Sequence, residues 1–236
     1  MNIILFITYL GIILLLIAVI TTILLKWKDY IPKLWLLLLV LSFSSVIIGL
    51  LMLLIAEILA PYNSNYYVNP FLYIIYFGLI GSSMFTIYLL VVQIHFKHIK
   101  FLMIVGIIMF VIIILFLIIS IIILMLYQVP EYPWTAYLAF EFVYGQGITA
   151  YILLAIGSFS HITSDRLEKK VRIGLFLTGV FSLGMIWGLL LIAIGLLYVD
   201  FSTALSLYTS IFWLLWMGFV AIIFLLMVRG AINMIS

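Results

Sequence analysis

Cysteine is absent from this chain. That excludes disulfides, thiolate metal sites and cysteine nucleophiles, and it leaves the redox compartment open. Charge is scarce too: Asp, Glu, Lys and Arg make up 7% of the residues, where a soluble domain carries about 25%. Hydrophobic residues supply 69% and the mean hydropathy is +1.51. No soluble fold hides that much apolar surface, so a lipid bilayer is the expected solvent. One polytopic membrane domain, residues 1–236, is the expected organisation.

Other absences narrow the chemistry. There is no H-E-x-x-H, no G-x-S-x-G, no phosphate-binding glycine loop and no carboxylate-rich metal site. No lysine follows Lys170, so the last apolar segment cannot form the Schiff base of a retinal protein. His95, His98 and His161 lie among basic residues at segment ends, away from where a haem held between helices would need them. An enzyme, a cofactor and a metal centre are therefore not expected. The net charge of +3 is explained by where the bases fall, so no nucleic-acid partner is expected either.

Seven long apolar runs are present. They extend over about 2–25, 33–60, 70–94, 101–127, a stretch ending near 160, 171–199 and 202–228. Pro32 suits the first turn of the second helix. Pro61 with the polar run 62–67, and the turn 129–134, close the second and fourth segments. The first run lacks a basic leader and a small-residue cleavage site and is too long for a signal peptide, so it reads as a spanning helix.

All ten Lys and Arg residues fall in the loops after segments one, three and five or in the C-terminal tail. The alternate loops carry only acids, Glu131 and Asp200, with Glu57 near the end of segment two. The positive-inside rule then gives seven spans, the N-terminus outside and the C-terminus cytoplasmic. Tyr62, Tyr66, Tyr67, Tyr127, Tyr132, Trp134 and Tyr198 gather at the outer boundary, as an interfacial aromatic belt would.

Glu141 is the charged residue that lies well inside an apolar run. A carboxyl group at membrane depth costs roughly 2.5–3.5 kcal/mol on insertion scales and is a functional candidate by default. On a helix, Tyr137, Glu141, Tyr144 and Tyr151 share a stripe about 80° wide, while Gln146 points away. Counted from Trp134, Glu141 lies about 10 Å below the outer interface. No Lys or Arg occurs between Lys100 and Arg166. Two readings follow. Either Glu141 is protonated and bonded to Tyr137 or Tyr144 as a neutral clamp between helices, or it is the floor of an outward-facing pocket for a cation or a proton. Glu57, about 36 Å along its helix from Lys33, is an interfacial acid or a second acid at the mouth of that pocket. Gly145 and Gly147 flank Gln146, either for close packing or as a hinge or unwound ligand site.

Small residues mark packing faces. Ser45, Gly49 and Ala56 in segment two match Gly184, Gly188 and Gly195 in segment six in spacing. Such faces let helices approach closely. Both segments follow an inner basic loop, so the match also fits a three-plus-one-plus-three repeat. The segment from Ser164 to Arg172 reads as a helix start below the membrane. There Arg166, Lys169, Lys170 and Arg172 meet anionic headgroups or offer a docking surface to a partner.

The layout resembles receptor-like sensors, and also the three-plus-one-plus-three sugar transporters of the SWEET type, in topology and length. The proline hinges of the latter are missing from these spans. Three functions are expected to compete. The first is a receptor-like or sensory protein of the cell membrane, binding a small cationic or amphipathic ligand near Glu141 and signalling to a cytoplasmic or membrane protein partner. The second is a small secondary transporter using the same pocket. The third is a non-catalytic structural subunit of a membrane complex.

Overall fold

A backbone in hydrocarbon has no water to bond, so each apolar run must close its hydrogen bonds within itself, as a helix does. The computed structural model describes residues 3–28, 32–59, 68–127, 134–162 and 169–197, and the described residues are helical apart from short connections. Helix α1 spans Ile3–Thr22 and passes into a π-helical turn, Ile23–Trp27. It is followed by α2 (Lys33–Leu59), α3 (Val68–His95), α4 (Lys100–Tyr127), α5 (Trp134–Ile162) and α6 (Lys169–Leu197). The seventh apolar run, with Asp200, lies outside the described residues.

Among the described residues, five stretches are long and apolar enough to cross a membrane: Lys33–Ile55, Phe71–His95, Lys100–Tyr127, Trp134–Ile162 and Val171–Leu190. These are the second to sixth runs of the sequence. Tyr9–Leu25 is a shorter apolar stretch, running into the π-helical turn. At 1.5 Å per residue, the 28 residues of α4 extend about 42 Å, more than a hydrocarbon core of about 30 Å. Pro32 stands immediately before α2, and its carbonyl accepts the Leu36 N–H at 3.0 Å, so the proline starts the helix without costing it a bond.

The chain divides into two compact units, 1–147 and 148–236, and the division falls inside α5. In the first unit α3 is the central helix. It meets α2 through a hydroxyl pair, Ser42 Oγ and Ser83 Oγ 2.8 Å apart, and through Gly49, where an added Cβ would stand 3.4 Å from the Tyr76 ring. It meets α4 where Phe85 stacks on Phe110, their centroids 4.2 Å apart. It meets α5 where Gly81 faces Val143 and Phe77 stacks on Phe140. The run Gly78-Leu-Ile-Gly81-Ser82-Ser83 is thus a small-residue face that the sequence reading did not single out. By contrast α4 buries one narrow stripe, Gly106, Ile113, Leu117, Ser120 and Leu124. Its remaining isoleucines and leucines are exposed or half-buried, as on helices facing lipid.

In the second unit, α5 and α6 meet through Tyr151 against Phe181 and Phe159 against Phe176 and Gly179. Of the packing face expected on α6, Gly188 is buried and Gly184 half-buried; Gly195 is helical. Ser45 on α2 is half-buried beside the buried Gly49.

Candidate functional site

The N-terminal half of α5 lies in the first unit and carries two different polar arrangements. The first is dry. Gln146 is fully buried, and its Nε2 donates to the Gly106 carbonyl of α4 at 3.2 Å. Gly106 is covered from the other side by Tyr88 of α3, itself fully buried, whose hydroxyl donates to the Leu102 carbonyl at 2.7 Å. A Cβ on Gly106 would stand 2.5 Å from Tyr88 Cδ1 and closer still to Cε1. Glycine is therefore required there, because only a bare backbone admits the ring. Near the opposite end of α4, Ser120 donates to the Phe116 carbonyl at 2.7 Å. Its oxygen also lies 2.6 Å from Thr135 Oγ1, which leaves Thr135 as the donor of that second bond. Both residues are buried. These contacts tie α3, α4 and α5 together with hydrogen bonds, which hydrocarbon cannot replace.

The second arrangement surrounds Glu141. Gln146 points away from it, as the helical spacing predicts. Glu141 is half-buried, with Tyr137 one turn before it 41% exposed and Tyr144 one turn after it 6% exposed. Phe140 stacks on Phe77 with centroids 3.6 Å apart and planes 24° apart. Tyr144 meets Phe77 edge to face at 6.1 Å, and Tyr137 meets Phe140 at 6.3 Å. Tyr144 interacts electrostatically with Glu141, with Tyr76 of α3 and with Tyr9 of α1. Tyr76 interacts in the same way with Tyr9. Three phenols, from α1, α3 and α5, and the Glu141 carboxyl thus act on one another electrostatically.

Gly145, one turn beyond Glu141 on the same face, is half-buried. Among the described residues, a Cβ built there would meet no heavy atom within 4 Å beyond the helix's own backbone. Helix α5 also runs unbroken through Gly145 and Gly147, so no unwound segment forms between them.

Tyr137, Glu141 and Tyr144 belong to the first unit, and Tyr151, buried against Phe181, belongs to the second. Glu57 belongs to α2, and its side chain lies outside the described residues. Of the docking residues, Lys169 is exposed and Arg172 half-buried at the start of α6. Arg166 and the side chain of Lys170 lie outside the described residues. Tyr9, Tyr76 and Phe77 interact with Tyr144 and were not distinguished by sequence, since nothing local separates them from the chain's other aromatics. Among the described residues no group of three His, Asp or Glu side chains is placed to hold a metal ion.

No protein-family model matches the chain, and no curated protein or solved structure matches it either.

Proposed function

We propose that this is a receptor-like or sensory protein of the cell membrane, non-catalytic, with a pocket around Glu141 for a small cationic or amphipathic ligand. In this reading the chain crosses the bilayer seven times. The N-terminus and the pocket face outward, and the C-terminus is cytoplasmic. Ligand occupancy is passed along α5 and α6 to a cytoplasmic or membrane protein partner at Arg166, Lys169, Lys170 and Arg172. One observation carries the proposal: Glu141, inside a long apolar helix, is half-buried, neither sealed nor fully exposed. A carboxyl group held there without a basic residue nearby in sequence has its stabilisation left for a ligand or a proton to supply.

The absence of cysteine makes the test clean. Glu141→Cys supplies a single thiol. In right-side-out vesicles a membrane-impermeant thiol reagent should modify it from outside. A thiol that reacts only after detergent solubilisation would sink the outward pocket.

A structural-subunit reading is favoured by a different observation, the buried contacts Ser120–Thr135 and Gln146–Gly106, which join α4 to α5. It predicts that the thiol at position 141 stays unreactive from both sides.

A further inference from the structure

The geometry points to a binding site for an anionic phospholipid at the end of the first unit where α2 begins, α3 finishes and α4 begins. The lysines there take the headgroup, and the acyl chains lie along the exposed faces of α2 and α4. Glu141 has no part in this site, so it stands apart from the pocket proposed above.

Helices α2, α3 and α4 all belong to the first unit. Ser42 and Ser83 meet at 2.8 Å and set α2 and α3 level with each other. Gly49, further along α2, faces Tyr76 and Leu79, earlier in α3, so the two helices run antiparallel. Lys33 lies about 14 Å along α2 from Ser42, and His95 about 18 Å along α3 from Ser83, in the same direction. The short turn at Phe96–Ile99, closed by the Ile99 N–H on the Phe96 carbonyl at 2.8 Å, then brings Lys97, His98 and Lys100 to that same end.

The charge gathered there has one sign. Lys33, Lys97, His98 and Lys100 are exposed. The nearest acids along the chain are Asp29, outside the described residues, and Glu57, near the far end of α2. Both α2 and α4 start here, so two positive helix-dipole ends add to the lysines.

The occupant follows from what adjoins the charge. The apolar stretches start at Lys33 and Lys100 and stop at His95, which puts these residues at the level of headgroups. Immediately inside them Leu34 and Leu37 on α2 and Phe101 and Ile104 on α4 are exposed. A soluble anion leaves that apolar surface uncovered, whereas a phospholipid uses the charge and the apolar faces together.

The test titrates the full chain in neutral detergent with phosphatidylglycerol, or with phosphatidylcholine of the same acyl chains, and counts bound lipid by native mass spectrometry. Phosphatidylglycerol should bind more tightly. Each lysine near a membrane surface is worth about fivefold in affinity for anionic lipid, so Lys97→Gln should weaken binding about fivefold and Lys33→Gln with Lys97→Gln and Lys100→Gln about a hundredfold. The same three positions changed to Arg should keep the affinity. Glycerophosphoglycerol, the headgroup without chains, should not compete at the concentration of the lipid.

Equal affinity for the two lipids overturns the proposal. A preference for phosphatidylglycerol that survives the triple Gln variant moves the lipid elsewhere and overturns the site. Competition by glycerophosphoglycerol shows that a soluble anion suffices and overturns the lipid. Lys97 stands in a turn outside the helices, so its single variant decides the matter even where the triple variant fails to fold.

Discussion

Gly106 and Gly145 are both glycines inside long apolar helices, and the structure uses them in opposite ways. Gly106 is covered: Tyr88 fills the space a side chain would take, and Gln146 bonds its carbonyl. At Gly145 an added Cβ would meet none of the described residues within 4 Å beyond the helix's own backbone. In a helix either glycine costs about 1 kcal/mol relative to alanine. At Gly106 that cost is offset by close approach of α3 and by two interhelical side chains. At Gly145 no described side chain comes within 4 Å of an added Cβ, so among the described residues the cost is not offset by close packing of the kind seen at Gly106.

The contrast is broken most directly at Gly106. Gly106→Ala should destabilise the protein by about 2–3 kcal/mol, since Tyr88 is fully buried and tied to Leu102 and has nowhere to retreat. Thermal melts in detergent would show it. Adding Tyr88→Leu should recover part of the loss, because the smaller side chain vacates the space. A Gly106→Ala protein that melts like the parent would mean that Tyr88 does not cover Gly106.

A smaller effect is expected where α4 and α5 meet at Ser120 and Thr135. Ser120→Ala and Thr135→Val form a double-mutant cycle with a coupling of about 0.6 kcal/mol, the average for interhelical hydrogen bonds in a membrane. The hydroxyls are 2.6 Å apart and buried, so a value near the upper end, about 1.7 kcal/mol, is the reasonable ceiling. Zero coupling would mean that each hydroxyl is satisfied within its own helix, as Ser120 already is in part by Phe116.

How much of this was legible beforehand differs by level. The helix limits were, because apolar runs interrupted by Pro32, Pro61 and the turn at 129–134 leave little choice. The second to sixth runs match α2 to α6 within about two residues at nearly every end. Gly106 and Ser120 are the small or polar interruptions of the fourth run, but nothing in the sequence joins them to their partners Tyr88, Gln146 and Thr135. In a uniformly apolar helix the pattern says which residue differs and not which neighbour it meets. The same limit hid Tyr9, Tyr76 and Phe77. Glu141 was legible because ionisable groups are costly in lipid, whereas a tyrosine is cheap anywhere near an interface.

The smallest expected effect is the most discriminating. If Gly145 served packing, alanine there would clash and the protein would lose stability, as at Gly106. With no heavy atom within 4 Å of the added methyl, the only change to the folded state is a better helix former. Gly145→Ala should therefore leave the melting temperature unchanged or raise it, by an amount worth up to about 1 kcal/mol. A bulkier change, Gly145→Leu, should be tolerated in melts as well but should fill the space beside Glu141. A melt that falls on Gly145→Ala would mean that something covers this turn, and the open face next to the carboxyl group would have to be abandoned. A melt that holds for both substitutions separates spare room from structural necessity on a single turn of helix.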